Sequence, residues 1–276
     1  MPPGLVHPEL AGDFARQSVQ FAAERAALLR RPVLAVLPMA TPYIEPVEWL
    51  RLELGSGELG CYLGSQEEEL ACAGATQVLE VGGDACFADA RAQLRTLFSD
   101  AVFALPFLKR VARAFCTFAF SKQTSGDPWA GMPQNLCVVP GRMLLRRRGT
   151  VWGAQLVRVA PDGSLLESDG PVASLSKDER PEWTHETWLE QSAQAIARIR
   201  AGELEKVVLV RREAREIEDL GGDDARGLGL IEELRARHPR CTVYWVGLPG
   251  GQSFIGATPE QLVRVSGRRV STMALA

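Results

Sequence analysis

The spacing of apolar and polar positions changes several times along the chain and predicts a mixture of helices and strands. Apolar side chains recur at helical spacing over residues 9–30, a stretch that ends before Pro32, which predicts one amphipathic helix. Short apolar runs separated by glycine-containing turns follow, as is typical of neighbouring antiparallel strands. They predict a meander with strands at 33–37, 49–54, 58–63 and 69–73. The three-and-four spacing over 87–101 predicts a helix packed on that sheet.

The rest of the chain continues the mixture. Helices are predicted at 184–201, where Gly202 is placed to end the helix, and at 228–237. Strands are predicted at 114–120, 135–148 and 151–159, with breaks at Pro140-Gly141 and Gly149-Thr150, and then at 205–211, 242–248, 253–257, 262–265 and 270–275. Because helices and strands mix without a strict βαβ alternation, we predict an α+β fold of layered antiparallel sheets with helices packed outside. The polar stretch 161–181 predicts a boundary between a β-rich N-terminal domain, 1–175, and a second region, 176–276.

Composition and charge exclude several classes of function. A hydrophobic content of 46% and a net charge of −3 are typical of a soluble globular protein and offer nothing to a phosphate backbone. The run Arg146-Arg147-Arg148 is interpreted as a solvated hairpin end. Six cysteines without a C-x-x-C pair indicate free thiols in a reducing compartment. With no apolar span and no signal peptide in the sequence, we expect a cytoplasmic protein without nucleic-acid or membrane partners.

Lys206 stands out because the chain carries its positive charge almost entirely on arginine. Of the 31 basic residues only four are lysines, at 109, 122, 177 and 206, and Lys206 lies in the apolar run predicted as a strand. Arginine keeps its proton in proteins, whereas a lysine taken out of water is pushed toward the neutral amine and can act as a base. The ordinary alternative is a strand-edge lysine whose charged end reaches solvent.

Glu260 is the second candidate. It follows the segment Phe254–Pro259, in which Gly256 and Pro259 are predicted to bracket a tight turn between two strands, so that its carboxyl group can point into a cleft. Taken alone, a glutamate at such a place is ordinarily a surface residue. Together with Lys206 it would form a base and an acid on opposite sides of a small substrate.

Three segments in order resemble the motifs of the chorismate-utilising enzymes, with the isochorismate synthases nearest. They are Gly202–Arg211, Phe254–Leu262 and Arg269–Ala276. Weaker similarity lies upstream, at Phe115–Phe120, Asp127–Pro133 and Leu136–Arg148. The resemblance implies that 176–276 begins the chorismate-binding catalytic region, in a pathway to menaquinone or a siderophore.

The resemblance also implies a mechanism and its residues. Chorismate loses its C4 hydroxyl while water adds at C2, and the ring double bonds shift. Lys206 matches the general base that activates the water, and Glu260 matches the general acid that protonates the departing hydroxyl. The backbone of Ala274, Leu275 and Ala276 matches the start of a segment that lines the substrate pocket. The cofactor implied is Mg²⁺, with its ligands expected beyond residue 276, and the complete enzyme is expected to be a monomer.

Lysine at 206 favours a member that uses water, because the ammonia-using anthranilate and aminodeoxychorismate synthases usually place glutamine there. Salicylate synthases share the lysine, so they remain an alternative. Met273 departs from the pattern, since many relatives carry glutamate at that position. The family continues beyond the point that corresponds to Ala276, so we expect an N-terminal fragment that is inactive alone. A catalytically incomplete remnant with a binding role is the third possibility.

Overall fold

The computed structural model describes nine stretches of the chain: 8–41, 43–55, 57–79, 81, 85–118, 135–167, 184–209, 227–249 and 251–273. The chain divides into two compact units, one formed by residues 1–175 with 224–276 and the other by 176–223. The predicted two-domain division at residue 175 stays a prediction. None of the helices in the described part is long and apolar enough to cross a membrane.

Six helices and twelve strands occur in the described residues. The helices are α1 (Pro8–Leu29), α2 (Pro46–Glu53), α3 (Cys86–Asp100), α4 (Leu108–Val111), α5 (His185–Arg200) and α6 (Leu228–Arg237). The strands are β1 (Val33–Met39), β2 (Gly60–Gly64), β3 (Glu68–Leu79), β4 (Val102–Phe103), β5 (Phe115–Phe118), β6 (Asn135–Arg147), β7 (Thr150–Val159), β8 (Leu165–Leu166), β9 (Thr242–Gly247), β10 (Ser253–Thr258), β11 (Arg264–Ser266) and β12 (Arg269–Ser271).

Ten of the strands form one sheet in the first unit. Its order is β10-β9-β2-β3-β6-β7-β1-β4, while β5 pairs with β6 and β8 with β7. All pairs are antiparallel except β1 with β4. Strands β11 and β12 form a separate hairpin. The predicted α+β fold class is confirmed.

Helices cover both faces of this sheet. Neighbouring side chains along each strand point to opposite faces, so a strand with consecutive apolar residues places apolar surface on both. Leu34 and Val36 of β1 point to the face that α3 and α4 cover. Val33 and Ala35 point to the other face, where Ala22 and Ala26 of α1 pack on them. Farther along that second face, α2 and α6 enclose Tyr62 and Trp245. Apolar side chains thus fill both layers between sheet and helices.

The helices predicted at 9–30, 87–101, 184–201 and 228–237 are confirmed, and local chemistry explains their ends. Thr184 caps α5, since the backbone N–H of Thr187 donates to its hydroxyl oxygen at 3.1 Å. At the other end Gly202 has a φ of +75°, which glycine adopts without strain. The N–H of Gly202 donates to the Ile199 carbonyl and that of Glu203 to the Arg198 carbonyl, completing a Schellman motif.

The strand predicted at 49–54 is wrong, because this stretch belongs to the helix α2. The alternation of Leu50, Leu52 and Leu54 suggested a strand, but Leu52 is 70% exposed and Trp49 packs beside Leu50 in the core. Pro46 occupies the first turn, where its fixed φ and missing N–H favour a helix. The polar face of α2 therefore includes an exposed leucine.

Two other predictions about the sheet are corrected. Strand β1 is separated from β2 in the sheet and pairs with β7 and β4, so only the β2–β3 hairpin of the predicted meander exists. Pro140-Gly141 does not break a strand, since β6 runs from Asn135 to Arg147. Pro140 lies opposite Ala75 where the register of β3 shifts, and such an irregularity tolerates a residue that lacks an N–H.

The strand predicted at 205–211 is also wrong where the structure describes it. Residues 204–209 have no regular secondary structure, and residues 210 and 211 lie outside the described part. A strand needs hydrogen bonds to a neighbouring strand, and residues 204–209 pair with no strand in the described stretches. The apolar composition that predicted a strand is not matched by burial, because Val208 is 75% exposed.

Candidate active site

Lys206 lies in the second unit, four residues after the glycine that ends α5. The Schellman motif at Gly202 and an ion pair of 3.0 Å between Arg198 Nε and Glu203 Oε2 fix the direction in which the chain leaves the helix. The Lys206 side chain is exposed. In the described residues Lys206 therefore does not lie in the paired strand that the sequence predicted. The prediction that Gly202 ends the preceding helix is confirmed.

Glu260 lies in the first unit, two residues after the end of the edge strand β10. Its backbone N–H donates to the Thr258 hydroxyl oxygen at 3.2 Å, and that hydroxyl donates to its carbonyl oxygen at 3.4 Å. Pro259 lies between the two residues. The Thr258 side chain thus holds the backbone at Glu260 in place, while the Glu260 side chain is exposed.

Gly256 does not bracket a turn, as predicted, but lies inside β10 opposite Tyr244 of β9. A Cβ atom added there would come within 2.3 Å of the Tyr244 hydroxyl oxygen. Glycine is therefore required so that the tyrosine ring can lie over the β10 backbone. The same ring contacts Phe254 at a centroid distance of 5.4 Å, so two further residues of this motif order the strand that leads to Glu260.

The two residues after Glu260 form hydrogen bonds with the last two described residues, 272 and 273. The N–H of Met273 donates to the Gln261 carbonyl at 3.1 Å, and the Thr272 hydroxyl donates to the Leu262 carbonyl at 2.7 Å. These bonds close the arm that carries the β11–β12 hairpin. Ala274, Leu275 and Ala276 lie outside the described residues, and their predicted role stays a prediction. The structure nevertheless brings Glu260 and the residue before Ala274 to the same end of this arm.

Lys206 and Glu260 belong to different units, so each is described by itself. Within the described stretches, neither Lys206 nor Glu260 has an ion-pair partner. These stretches also contain no group of three or more His, Cys, Asp or Glu side chains that could hold a metal ion. The magnesium ligands are expected beyond residue 276, so Mg²⁺ stays a prediction, and we derive no step through a metal.

Sequence reasoning missed a buried charge cluster, which we call the Glu69 cluster (Tyr62, Glu69, Arg146 and Arg235). The Glu69 side chain is 2% exposed. The Tyr62 hydroxyl donates to its Oε1 at 2.7 Å, and the guanidinium groups of Arg146 and Arg235 pair with its two carboxylate oxygens. The cluster therefore joins β2, β3 and β6 to α6.

The cluster corrects the interpretation of Arg146-Arg147-Arg148 as a solvated hairpin end. Arg148 and Gly149 do form a turn, both with positive φ, but Arg146 is partly buried and pairs with both Glu69 and Glu45. Burial raises the pKa of the Tyr62 phenol above its usual range, and the negative charge of Glu69 adds to that rise. The sequence signal that could have revealed the cluster is Glu69 itself, a carboxylate at a core-facing position next to Leu70 and Ala71.

Comparison with known proteins places these observations in a family. A family model described as "Chorismate binding enzyme" matches residues 20–276. Anthranilate synthase component 1 of Streptomyces coelicolor is 39% identical over 93 residues, which are 34% of this chain and 17% of that protein. The salicylate biosynthesis isochorismate synthase of Pseudomonas aeruginosa is 31% identical over 122 residues, 44% of this chain and 23% of that protein.

A solved structure has the same fold. MenF, the menaquinone-specific isochorismate synthase from Escherichia coli, superimposes with a TM-score of 0.52 at 19% identity, covering 90% of this chain and 56% of MenF. At this identity the likeness shows the fold alone. The chain thus spans about half the length of MenF, and the alignments cover smaller parts of the two sequence relatives.

Proposed function

The chain belongs to the family of chorismate binding enzymes, and on that premise we propose that it is the part of an isochorismate synthase that carries the general base and the general acid. The substrate is chorismate. Lys206 takes a proton from the water that attacks C2, and Glu260 gives a proton to the hydroxyl that leaves C4. The ring double bonds shift between the two positions, so that one water is added and one is released.

The observation that carries the proposal is lysine at position 206. Water is a weak nucleophile and needs a base to take its proton as it attacks, whereas neutral ammonia is nucleophilic enough to attack without one. Relatives that use ammonia usually carry glutamine at this position. The greater identity to an anthranilate synthase component does not oppose the proposal, because that match covers only 34% of this chain. A leaving hydroxide needs a proton as its bond breaks, which gives Glu260 the complementary role.

The exposure of Lys206 sets a condition on this mechanism. A lysine accepts a proton from water only as the neutral amine, and removal from bulk water favours that form. Lys206 is exposed in the second unit. The proposal therefore requires that the apolar run Val207–Leu209 becomes buried in the catalytic state and takes the lysine with it. Val208, at 75% exposure, has the most surface to lose.

The test is a product analysis on the protein expressed from the complete reading frame that contains these residues. We expect isochorismate from chorismate in the presence of Mg²⁺, without release of pyruvate. Pyruvate release would identify the salicylate synthase alternative and refute this proposal, and anthranilate formed with ammonia would refute the role of Lys206. Chorismate binding without turnover would identify the remnant with a binding role and would equally refute it.

Matched variants separate chemistry from charge. Lys206→Ala and Glu260→Gln should remove turnover, while Lys109→Ala and Glu233→Gln should retain it. Lys109 and Glu233 are also on the surface, on α4 and α6, and neither belongs to the sequence of either motif. Turnover in Lys206→Ala comparable to that of Lys109→Ala would show that this lysine is not the base.

A further inference from the structure

Two cysteines face each other across the β5–β6 pair. Cys116 and Cys137 are direct partners in the antiparallel register, and their sulfur atoms lie 2.7 Å apart. All six cysteines are free thiols in the structure. Directly opposed residues of antiparallel strands have Cα atoms roughly 4.5–5.5 Å apart. That separation lies within the range of about 4.4–6.8 Å found across disulfides, so a bond between these sulfurs needs no backbone rearrangement.

We propose that Cys116 and Cys137 form a reversible thiol-oxidation site, at which a low-molecular-weight disulfide converts the two thiols into an intramolecular disulfide. The site lies on a covered part of the sheet, with Leu79, Val81 and Ala90 around Cys137. It is independent of the proposed catalytic chemistry. In a reducing compartment, a disulfide that forms and breaks is typical of redox sensing or catalysis.

The two cysteines have different environments and therefore different roles. Cys116 is partly exposed, so a small oxidant can reach it, whereas Cys137 is completely buried. The two sulfurs share a hydrogen bond in which either thiol can be the donor, and this hydrogen bond lowers the pKa of Cys116 and raises that of Cys137. Cys116 is accordingly the attacking thiolate, and Cys137 the thiol that resolves the mixed disulfide.

The reaction proceeds in two exchanges. The Cys116 thiolate attacks one sulfur of the oxidant RSSR, forming a mixed disulfide and releasing RS⁻. The Cys137 sulfur then attacks the Cys116 sulfur, loses its proton and releases the second RS⁻. Two protein thiols and RSSR give one protein disulfide and two RSH, so the two electrons pass to the oxidant. An excess of a dithiol reverses both steps.

A second cysteine pair provides an internal comparison. Cys61 and Cys72 are also direct partners, in the β2–β3 pair, but they are only 1% and 2% exposed. Burial raises the pKa of both thiols. With the same register but no access and little thiolate, this pair should not react while the chain is folded. Both pairs have the register that a disulfide needs. The exposure of Cys116 and its hydrogen bond with Cys137 are what make the Cys116–Cys137 pair the one expected to be oxidised.

The consequence of oxidation would be local. A bond between residues 116 and 137 ties together the two ends of the intervening chain, which contains the Asp127–Pro133 segment that resembles the family. Oxidation would therefore fix the entry and exit of this segment at adjacent positions on the sheet.

The test is peptide mapping of the full chain after incubation with oxidised glutathione, alkylation and digestion by trypsin. Cleavage after Arg113, Lys122 and Arg142 places the two cysteines on separate peptides, 114–122 and 123–142. We expect these peptides to be joined, with a mass lower by two hydrogen atoms than their sum, and to separate after dithiothreitol treatment. Cys61 and Cys72 should be alkylated only after denaturation.

Single variants give the order of the two steps. Cys137→Ser should leave glutathione bound on Cys116, and Cys116→Ser should slow the reaction of Cys137 by about tenfold or more. Cys86→Ser should leave the linkage unchanged. Linkage of Cys116 to the peptide that carries Cys86, linkage only in urea, or unlinked alkylated Cys116 and Cys137 in the folded chain would each overturn the proposal.

Discussion

The ionisable side chains of the Glu69 cluster and those of the candidate catalytic pair differ greatly in their exposure to solvent. Glu69 is 2% exposed and has three partners from three different elements, whereas Lys206 and Glu260 are both exposed. A buried charge must be compensated, so the fold itself explains the residue types in the cluster. The fold makes no such demand at 206 or 260. Only the proposed function assigns a role to the lysine and the glutamate there.

Helix α6 contains the same contrast within a single turn. Arg235 pairs with buried Glu69, while Glu232 pairs with Arg51 of α2 at 2.7 Å on the surface. Both pairs attach α6 to the rest of the unit. They should differ in strength, because a carboxylate left without partners in the core cannot turn to water, whereas an exposed one can.

The largest expected effect is on activity, at the exposed pair. Lys206→Ala and Glu260→Gln should each lower kcat in the complete enzyme by roughly 10²–10⁴-fold, the usual contribution of general acid–base catalysis. Neither should change the free energy of unfolding by more than about 0.5 kcal/mol, since surface substitutions rarely do. Steady-state kinetics and urea titration of the same preparations check both parts. A loss of activity accompanied by a large loss of stability would contradict this contrast, because it would show that Lys206 or Glu260 is needed for folding as the Glu69 cluster is.

The next largest effect is on stability, at the buried cluster. Glu69→Gln keeps the size of the side chain but removes the charge that compensates Arg146 and Arg235, and we expect a loss of about 3 kcal/mol in the free energy of unfolding. Urea titration measures it. A loss below about 1 kcal/mol would mean that the two arginines reach water without Glu69 and that the cluster does not hold α6 to the sheet.

A smaller effect is expected for Tyr62→Phe, which removes one donor to Glu69 and should cost about 1 kcal/mol at pH 7. The raised pKa of Tyr62 makes the cost depend on pH. The unfolded chain loses the phenol proton near pH 10, so the stability due to neutral Tyr62 is present below that pH and is lost as the pH rises above it. The difference between the two proteins should shrink above about pH 10, and a constant difference would contradict this assignment.

The smallest effect is expected for the surface pair. Glu232→Ala should change the free energy of unfolding by about 0.5 kcal/mol or less, and salt should reduce even that. Urea titration at low and high salt measures it beside Glu69→Gln. A cost equal to that of Glu69→Gln would show that burial does not set the strength of these pairs.

Helices could be predicted from the sequence more reliably than strand pairing. The spacing over 228–237 and the cap residues Thr184 and Gly202 act locally, so their elements formed as predicted. The partners of β1 could not be predicted, because residues far apart in the chain decide which strands meet. The stretch 49–54 was wrongly predicted as a strand because the spacing of its leucines fits the two-residue period of a strand as well as the period of a helix. Pro46 in the first turn favours the helix.

The candidate site could be predicted in part. The family was recognised from three ordered motifs and is confirmed. The strand around Lys206 was predicted from apolar composition, but pairing depends on a neighbouring strand that composition does not reveal. The Glu69 cluster was missed because the partners of Glu69 on β6 and α6 lie far away in sequence, at 146 and 235.

The central claim is that the side chains of Lys206 and Glu260 serve the addition of water to chorismate as base and acid. Its most direct test is chromatographic product analysis of chorismate incubated with Mg²⁺ and the protein from the complete reading frame, compared with its Lys206→Ala variant. We predict isochorismate without pyruvate from the parent protein, and isochorismate formed at least about 100-fold more slowly by the variant. Isochorismate formed equally by both proteins would contradict the claim.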